Sequence, residues 1–299
     1  MKRSSIWLLL AALFISMGLG TTAWAQVNVV STIPDFASIA KEVGGDKVTV
    51  TGLVRPNQDP HFVDPKPSMM LDLNKADLLL VVGMGLEDGW LPPLLSGARN
   101  GKIQRGTSGY LECSTVIKPM QVRAPDRAQG DIHPGGNPHY WIDPRNGLAV
   151  ASAIAKRLEQ IDPANAASYR AGVAAFSSKL QGKMAQWRQR LQPHKDMRVV
   201  VYHESWVYFF DFAQIRQVGE LEPKPGIAPK PAHVAELIER VKGQSVRYVI
   251  QESFYPTQMS RLFAERAGAQ LKVLPVMVGA AGTSSYIGLI DKIVSELGG

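Results

Sequence analysis

From Ala164 to Leu191 the chain reads ANAASYRAGVAAFSSKLQGKMAQWRQRL. The run holds no proline, and Gly172 and Gly182 are its weak points for a helix. Asp162-Pro163 precedes it, an N-cap followed by proline in the first turn, and Pro193 lies just beyond its end. At 1.5 Å per residue such a helix is roughly 40 Å long, enough to run the height of a domain. The patterns on either side of it decide the fold.

On the N-terminal side, strand-like and helical runs alternate. Val27 to Thr32 and Lys47 to Leu53 read as strands, with a helical spacing from Phe36 to Val43 between them that ends at Gly44-Gly45. Ala76 to Val82 is a continuous apolar run, the pattern of a strand buried on both faces of a parallel sheet. Asn146 to Ile161 carries a helical pattern rich in Ala and Leu. On the C-terminal side the alternation resumes. Strands are expected at 198–202, 246–250 and 271–274, and helices at 232–242, 259–267 and 285–297. The Pro-rich stretch from Pro223 to Pro231 is a loop and not a domain linker. Strand and helix alternation of this kind predicts α/β layers. The simplest architecture is two α/β lobes, each a parallel-type sheet flanked by helices, joined by one long rigid helix. No internal repeat is strong enough to use.

The first residues have a different character. Lys2 and Arg3 precede an apolar run from Ile6 to about Leu19, and Ala23-Trp24-Ala25 follows as a small-x-small cleavage site. This is the pattern of a secretory signal peptide, and the apolar run is shorter than the roughly 20 residues of a membrane span. The expected layout is a signal peptide at 1–25, an N-terminal lobe at 26–162, the connecting helix at 163–194 and a C-terminal lobe at 195–299. No Cys follows the apolar run, so a soluble periplasmic product is expected, not one anchored through a lipidated N-terminal Cys. Cys113 is the single cysteine, so no internal disulfide can form. It reads as a small buried residue. The formal net charge is +7, but the basic residues are scattered and no nucleic-acid motif is present. The excess suits a solvated surface that meets anionic lipid or a membrane partner.

Of six histidines, three stand in unusual contexts. His61 lies in Gln58-Asp59-Pro60-His61, and His139 in Asn137-Pro138-His139-Tyr140-Trp141-Ile142-Asp143-Pro144. His203 lies in Tyr202-His203-Glu204, at the carboxyl end of an expected strand. Ligands of open α/β sheets bind in the crevice beyond the carboxyl ends of the strands.

These motifs, with Ala76-Asp77-Leu78, Gly85-Leu86-Glu87, Gln251-Glu252-Ser253 and Gly282 to Tyr286, fall in one order along almost the whole mature chain. In that order the sequence resembles the zinc/manganese-binding family of periplasmic substrate-binding proteins that serve ABC importers. The resemblance implies two similar lobes with a metal in the cleft between them, His61 and His139 from the first lobe and His203 from the second. It also implies delivery to the membrane permease of an ABC importer, with no catalytic role; a monomer is expected. Three imidazoles favour zinc, with manganese as the alternative. Each ligating ring should donate its other N–H to an outer acceptor, which the sequence does not identify.

One departure matters. The family usually supplies an aspartate from the second lobe, and here that turn reads Val276-Met277-Val278-Gly279. A fourth ligand must come from elsewhere, and Glu252 is the candidate, either on the metal or behind it, with water completing the coordination. His133, left from the family's His-rich loop in Asp131-Ile132-His133, is at most an auxiliary ligand. His194 and His233 read as ordinary helix-end residues. Two other functions compete. A relative that has lost tight metal binding would act in adhesion or bind another solute. A zinc hydrolase would use the same three ligands with water, but His203-Glu204-Ser205-Trp206-Val207 lacks the second histidine of the zinc-protease helix.

Overall fold

A computed structural model describes residues 26–123, 133 and 135–299. The expected signal peptide and Asp131-Ile132 lie outside the described residues. The first lobe holds a four-stranded parallel sheet in the order β2-β1-β3-β4, made of β1 (Val27–Ser31), β2 (Val48–Gly52), β3 (Leu78–Val81) and β4 (Tyr110–Glu112). The second sheet, β6-β5-β7-β8, is also parallel and contains β5 (Arg198–Val201), β6 (Arg216–Glu220), β7 (Tyr248–Glu252) and β8 (Gln270–Leu274). Both sheets therefore have the same topology, a structural repeat that leaves no usable trace in the sequence.

The central strands β3 and β5 carry unbroken apolar runs, Leu78 to Val81 and Val199 to Val201. β3 and β7 are buried at every position. The edge strand β6 reads Arg-Gln-Val-Gly-Glu and is only half-buried, which is why apolar patterning does not find it. Nor does it find the short β4 or three helices, α2 (Pro67–Lys75), α3 (Leu91–Ala98) and α6 (Val207–Ala213). The remaining helices fall where periodicity puts them, within one or two residues. They are α1 (Pro34–Gly44), α4 (Pro144–Ile161), α5 (Ala166–Leu191), α7 (Pro231–Arg240), α8 (Gln258–Ala267) and α9 (Tyr286–Leu297).

The long helix α5 buries a narrow stripe of Tyr169, Phe176, Leu180, Met184, Trp187 and Leu191, spaced three, four or seven residues apart. Its N-terminal half lies against the first lobe. A Cβ on Gly172 would stand 2.1 Å from the Val43 carbonyl of α1, so this glycine permits a close crossing. Its C-terminal half is tied to the second lobe through α9, where Asp291 accepts from the Trp187 indole at 2.6 Å and from Lys183 at 2.8 Å. Gly182 faces open space. One continuous core spans the first lobe, the long helix and the inner face of the second sheet. A smaller core, with Val200, Leu237, Val249 and Phe263, lies under α7 and α8. Cys113 is fully buried, and burial pushes its thiol pKa up, in keeping with a packing role. Among the described residues no helix is long and apolar enough to cross a membrane.

Candidate metal centre

In each sheet the strand order reverses its sense beside the first strand, and the crevice there opens at the carboxyl ends. His203 leaves β5 two residues past its end, and His61 and His139 sit in the loops that follow β2 and β4. The three rings converge across the cleft between the lobes. Their centroids stand 5.0 Å (His61–His139), 5.3 Å (His61–His203) and 5.0 Å (His139–His203) apart. One nitrogen from each lies within 4.8 Å of the others. Tetrahedral zinc at 2.0–2.1 Å places its ligand nitrogens about 3.4 Å apart, which this close grouping suits.

Each ring is aimed by an oxygen at its Nδ1. His61 Nδ1 lies 2.8 Å from Asp59 Oδ1, His139 Nδ1 3.0 Å from Asn137 Oδ1, and His203 Nδ1 2.7 Å from Glu222 Oε2. The first two are one device used twice. In both Asx-Pro-His segments the side-chain oxygen of the Asx also accepts the backbone N–H of the histidine, at 3.0 Å for His61 and 2.9 Å for His139. Asx-Pro-His recurs at 59–61 and 137–139, a signal present in the sequence whose link to the two acceptors the folded geometry supplies. Glu222 has no such signal, since it reaches His203 from the far end of β6. With Nδ1 engaged, Nε2 is the free nitrogen. The Nε2 atoms of His61 and His203 are buried and have no hydrogen-bond partner in the protein. Buried polar atoms are seldom left so, and a bound ion or water is one physical reason.

The surrounding residues brace these segments. The Trp90 indole donates to the Pro60 carbonyl at 3.0 Å and fixes the loop of His61. Tyr286 of the Ser-Tyr motif donates to the Trp141 carbonyl at 2.7 Å, so the second lobe holds the segment of His139. Glu87, fully buried, accepts from Thr32 and from the Val82 and Gly83 amides. It ties the ends of β1 and β3 together and is no part of the imidazole cluster.

Electrostatics separate the rings. Burial, and then the charges of His203 and His61, hold the His139 pKa well below its ordinary value. Burial also works against the charge on His203, but the hydrogen bond and charge of Glu222, helped by Glu252 and Glu220, push its pKa up to about 9. His203 is shared with an acidic wall, because Glu220 and Glu222 form a second close group with it.

Glu252 does not join the imidazoles. Its carboxylate lies outside their cluster, where Oε1 accepts from the Trp206 indole at 2.9 Å. Burial, partly offset by the charge of His203, raises its pKa to about 7. Val276 is buried, and its carbonyl accepts from the Trp141 indole at 2.7 Å, so the turn contributes a backbone oxygen to packing. The His133 ring stands 5.3 Å from that of His61, outside the close group of three. His194 lies just past the long helix, with Nε2 3.2 Å from the Gly298 carbonyl. His233 sits in the first turn of α7.

Known proteins are similar to this chain over nearly its whole length. The metal ABC transporter substrate-binding lipoprotein SloC of Streptococcus mutans is 26% identical, covering 99% of both chains. The iron-binding protein YfeA of Yersinia pestis is 26% identical over 99% of this chain and 97% of its own. A crystal structure of ZnuA superposes with a TM-score of 0.78 at 27% identity, covering 91% of this chain and 98% of that one. The family model of ZnuA, described as zinc-uptake complex component A, periplasmic, matches residues 29–298, and the chain belongs to that family of metal ABC transporter substrate-binding proteins.

Proposed function

We propose that this protein captures zinc in the periplasm through His61, His139 and His203 and delivers it to the permease of an ABC importer. The observation that carries the reading is the pair of buried, unpartnered Nε2 atoms on His61 and His203, each with its Nδ1 held by a carboxylate. Carboxylate-backed imidazole is a strong zinc ligand, because the outer acceptor fixes the ring and raises its basicity. Three nitrogens suit zinc better than manganese, which prefers oxygen. Val276 removes the family's carboxylate from the metal. In this reading Asp59 and Glu222 supply negative charge from one bond further out, and water completes the coordination. Glu252 acts behind His203 and not on the metal. The leader at 1–25 directs export, and the units at 26–162 and 195–299 open and close about the helix at 163–194.

The test is metal uptake by the chain from Gln26 onward, stripped with chelator and titrated with zinc, manganese and iron(II). The expected result is about one zinc per chain, held more tightly than the other ions. Replacing His61, His139 or His203 by Ala should weaken uptake far more than His194→Ala. Four variants that titrate alike would overturn the assignment.

A further inference from the structure

A second connection between the lobes reaches the same site without passing through the metal. Tyr255 lies between β7 and α8, on the second lobe. Its ring stacks on Tyr202, with centroids 4.4 Å apart and planes 20° apart. The amide of the fully buried Gln251 donates to its carbonyl at 2.8 Å, which fixes its backbone. Its hydroxyl stands 3.2 Å from Oδ2 of Asp59, on the first lobe. The other oxygen of that carboxylate, Oδ1, is the one that holds the ring and backbone N–H of His61. The chain Tyr255–Asp59–His61 thus runs from the second lobe to an imidazole of the first.

We infer that Tyr255 is a positioning residue that holds His61 toward the cargo while the lobes are closed. The inference rests on the reading of His61 as a zinc ligand. A carboxylate with a donor on each oxygen cannot turn about its Cβ–Cγ bond without breaking one of them. With Tyr255 engaged, Asp59 and therefore the His61 ring keep one orientation. Separating the lobes removes the Tyr255 hydroxyl, frees Asp59 to turn, and loosens His61 as His203 withdraws on the other lobe. Closure and retention are then coupled through an outer contact as well as through the metal. His139 has a parallel link of different chemistry: the Asn137 amide donates to the Glu204 backbone carbonyl of the second lobe at 2.8 Å, and its oxygen holds the His139 ring and backbone N–H.

The test compares zinc dissociation into excess chelator for wild type, Tyr255→Phe, Asp59→Asn and the double variant. Tyr255→Phe keeps the ring stack and removes only the hydroxyl. It should speed dissociation roughly tenfold, the low end of the range for outer partners of metal ligands, with the metal-free melting temperature unchanged. Asp59→Asn should speed it at least as much, and the double variant no more than Asp59→Asn alone, because Tyr255 acts through Asp59. A Tyr255→Phe rate equal to wild type overturns the inference, as does a full additional effect in the double variant. Loss of zinc uptake by the wild type would instead sink the zinc reading itself, a result seen before any variant is compared.

Discussion

Oε2 of Glu222 lies 2.7 Å from Nδ1 of His203, and both side chains are buried. The contact joins an edge strand to the residue that leaves the adjacent central strand, so it is set by how β5 and β6 pair. It orients the one imidazole that the second lobe contributes, and it places a negative charge behind a ligand in a site where Val276 supplies none. Asp59 does the same for His61 on the other side of the cleft.

Glu222→Gln keeps a hydrogen-bonding oxygen near His203 and removes the charge. Zinc affinity should fall by about 10–100-fold, the usual worth of such a partner. Glu252→Gln should cost less, because Glu252 stands outside the imidazole cluster and its acid is pushed up to about 7. Competition titration against a chelator of known affinity measures both. A larger loss for Glu252→Gln would put that residue on the metal.

The pH dependence follows from His203. Its native pKa of about 9 lies above the ordinary 6.5, so the proton on the metal-free imidazolium is still held at neutral pH. Zinc must displace it, and affinity should rise with pH up to about 9 with release of a proton on binding. The same shift stabilises the metal-free protein fully below pH 6.5, and this contribution is lost as pH rises through about 9. The melting-temperature difference between metal-free wild type and His203→Gln should therefore shrink across that window. Calorimetry in buffers of different ionisation enthalpy counts the proton, and a heat independent of buffer at pH 7.5 would contradict the assignment.

Asp35 carries the opposite sign. Burial raises this fully buried acid well above its ordinary 3.8, with only partial relief from the Val278 backbone. The folded state then resists its ionisation, a cost absent below pH 3.8 and growing as pH rises above it. Asp35→Asn removes the charge. It should melt higher than wild type at neutral pH, where the unfolded chain ionises freely and the folded one does not. The advantage should vanish near pH 4, and a constant difference across the range would refute the cause.

Val276→Asp restores the residue usual in the family. Placing a carboxylate at this buried position should lower the metal-free melting temperature. If the turn reaches the metal, the rise in melting temperature produced by zinc should be larger than in wild type, since binding to the folded state alone stabilises it. A lowered melting temperature with no larger zinc increment would mean that this turn serves only to seat Trp141.

Some of this protein was written locally in its sequence. The unbroken run from Ala164 to Leu191, the all-apolar stretches at 78–81 and 199–201, and the order of the histidine motifs determined two α/β lobes, a long helix and three ligand candidates. They did so because periodicity and burial on both faces leave a pattern within a few neighbouring residues. Asx-Pro-His at 59–61 and 137–139 is an equally local pattern, but its role in aiming the two rings came only from the placed side chains. The edge strand β6 left no such pattern, since one side of an edge strand faces solvent and its residues need not be apolar. Three features were decided only in three dimensions: the contact of Glu222, just past β6, with His203, the exclusion of Glu252 from the imidazole cluster, and the reach of Tyr255 to Asp59. Each of these joins residues 19 to 196 positions apart or separates neighbours in space, and strand pairing and lobe packing, not local preference, set those distances.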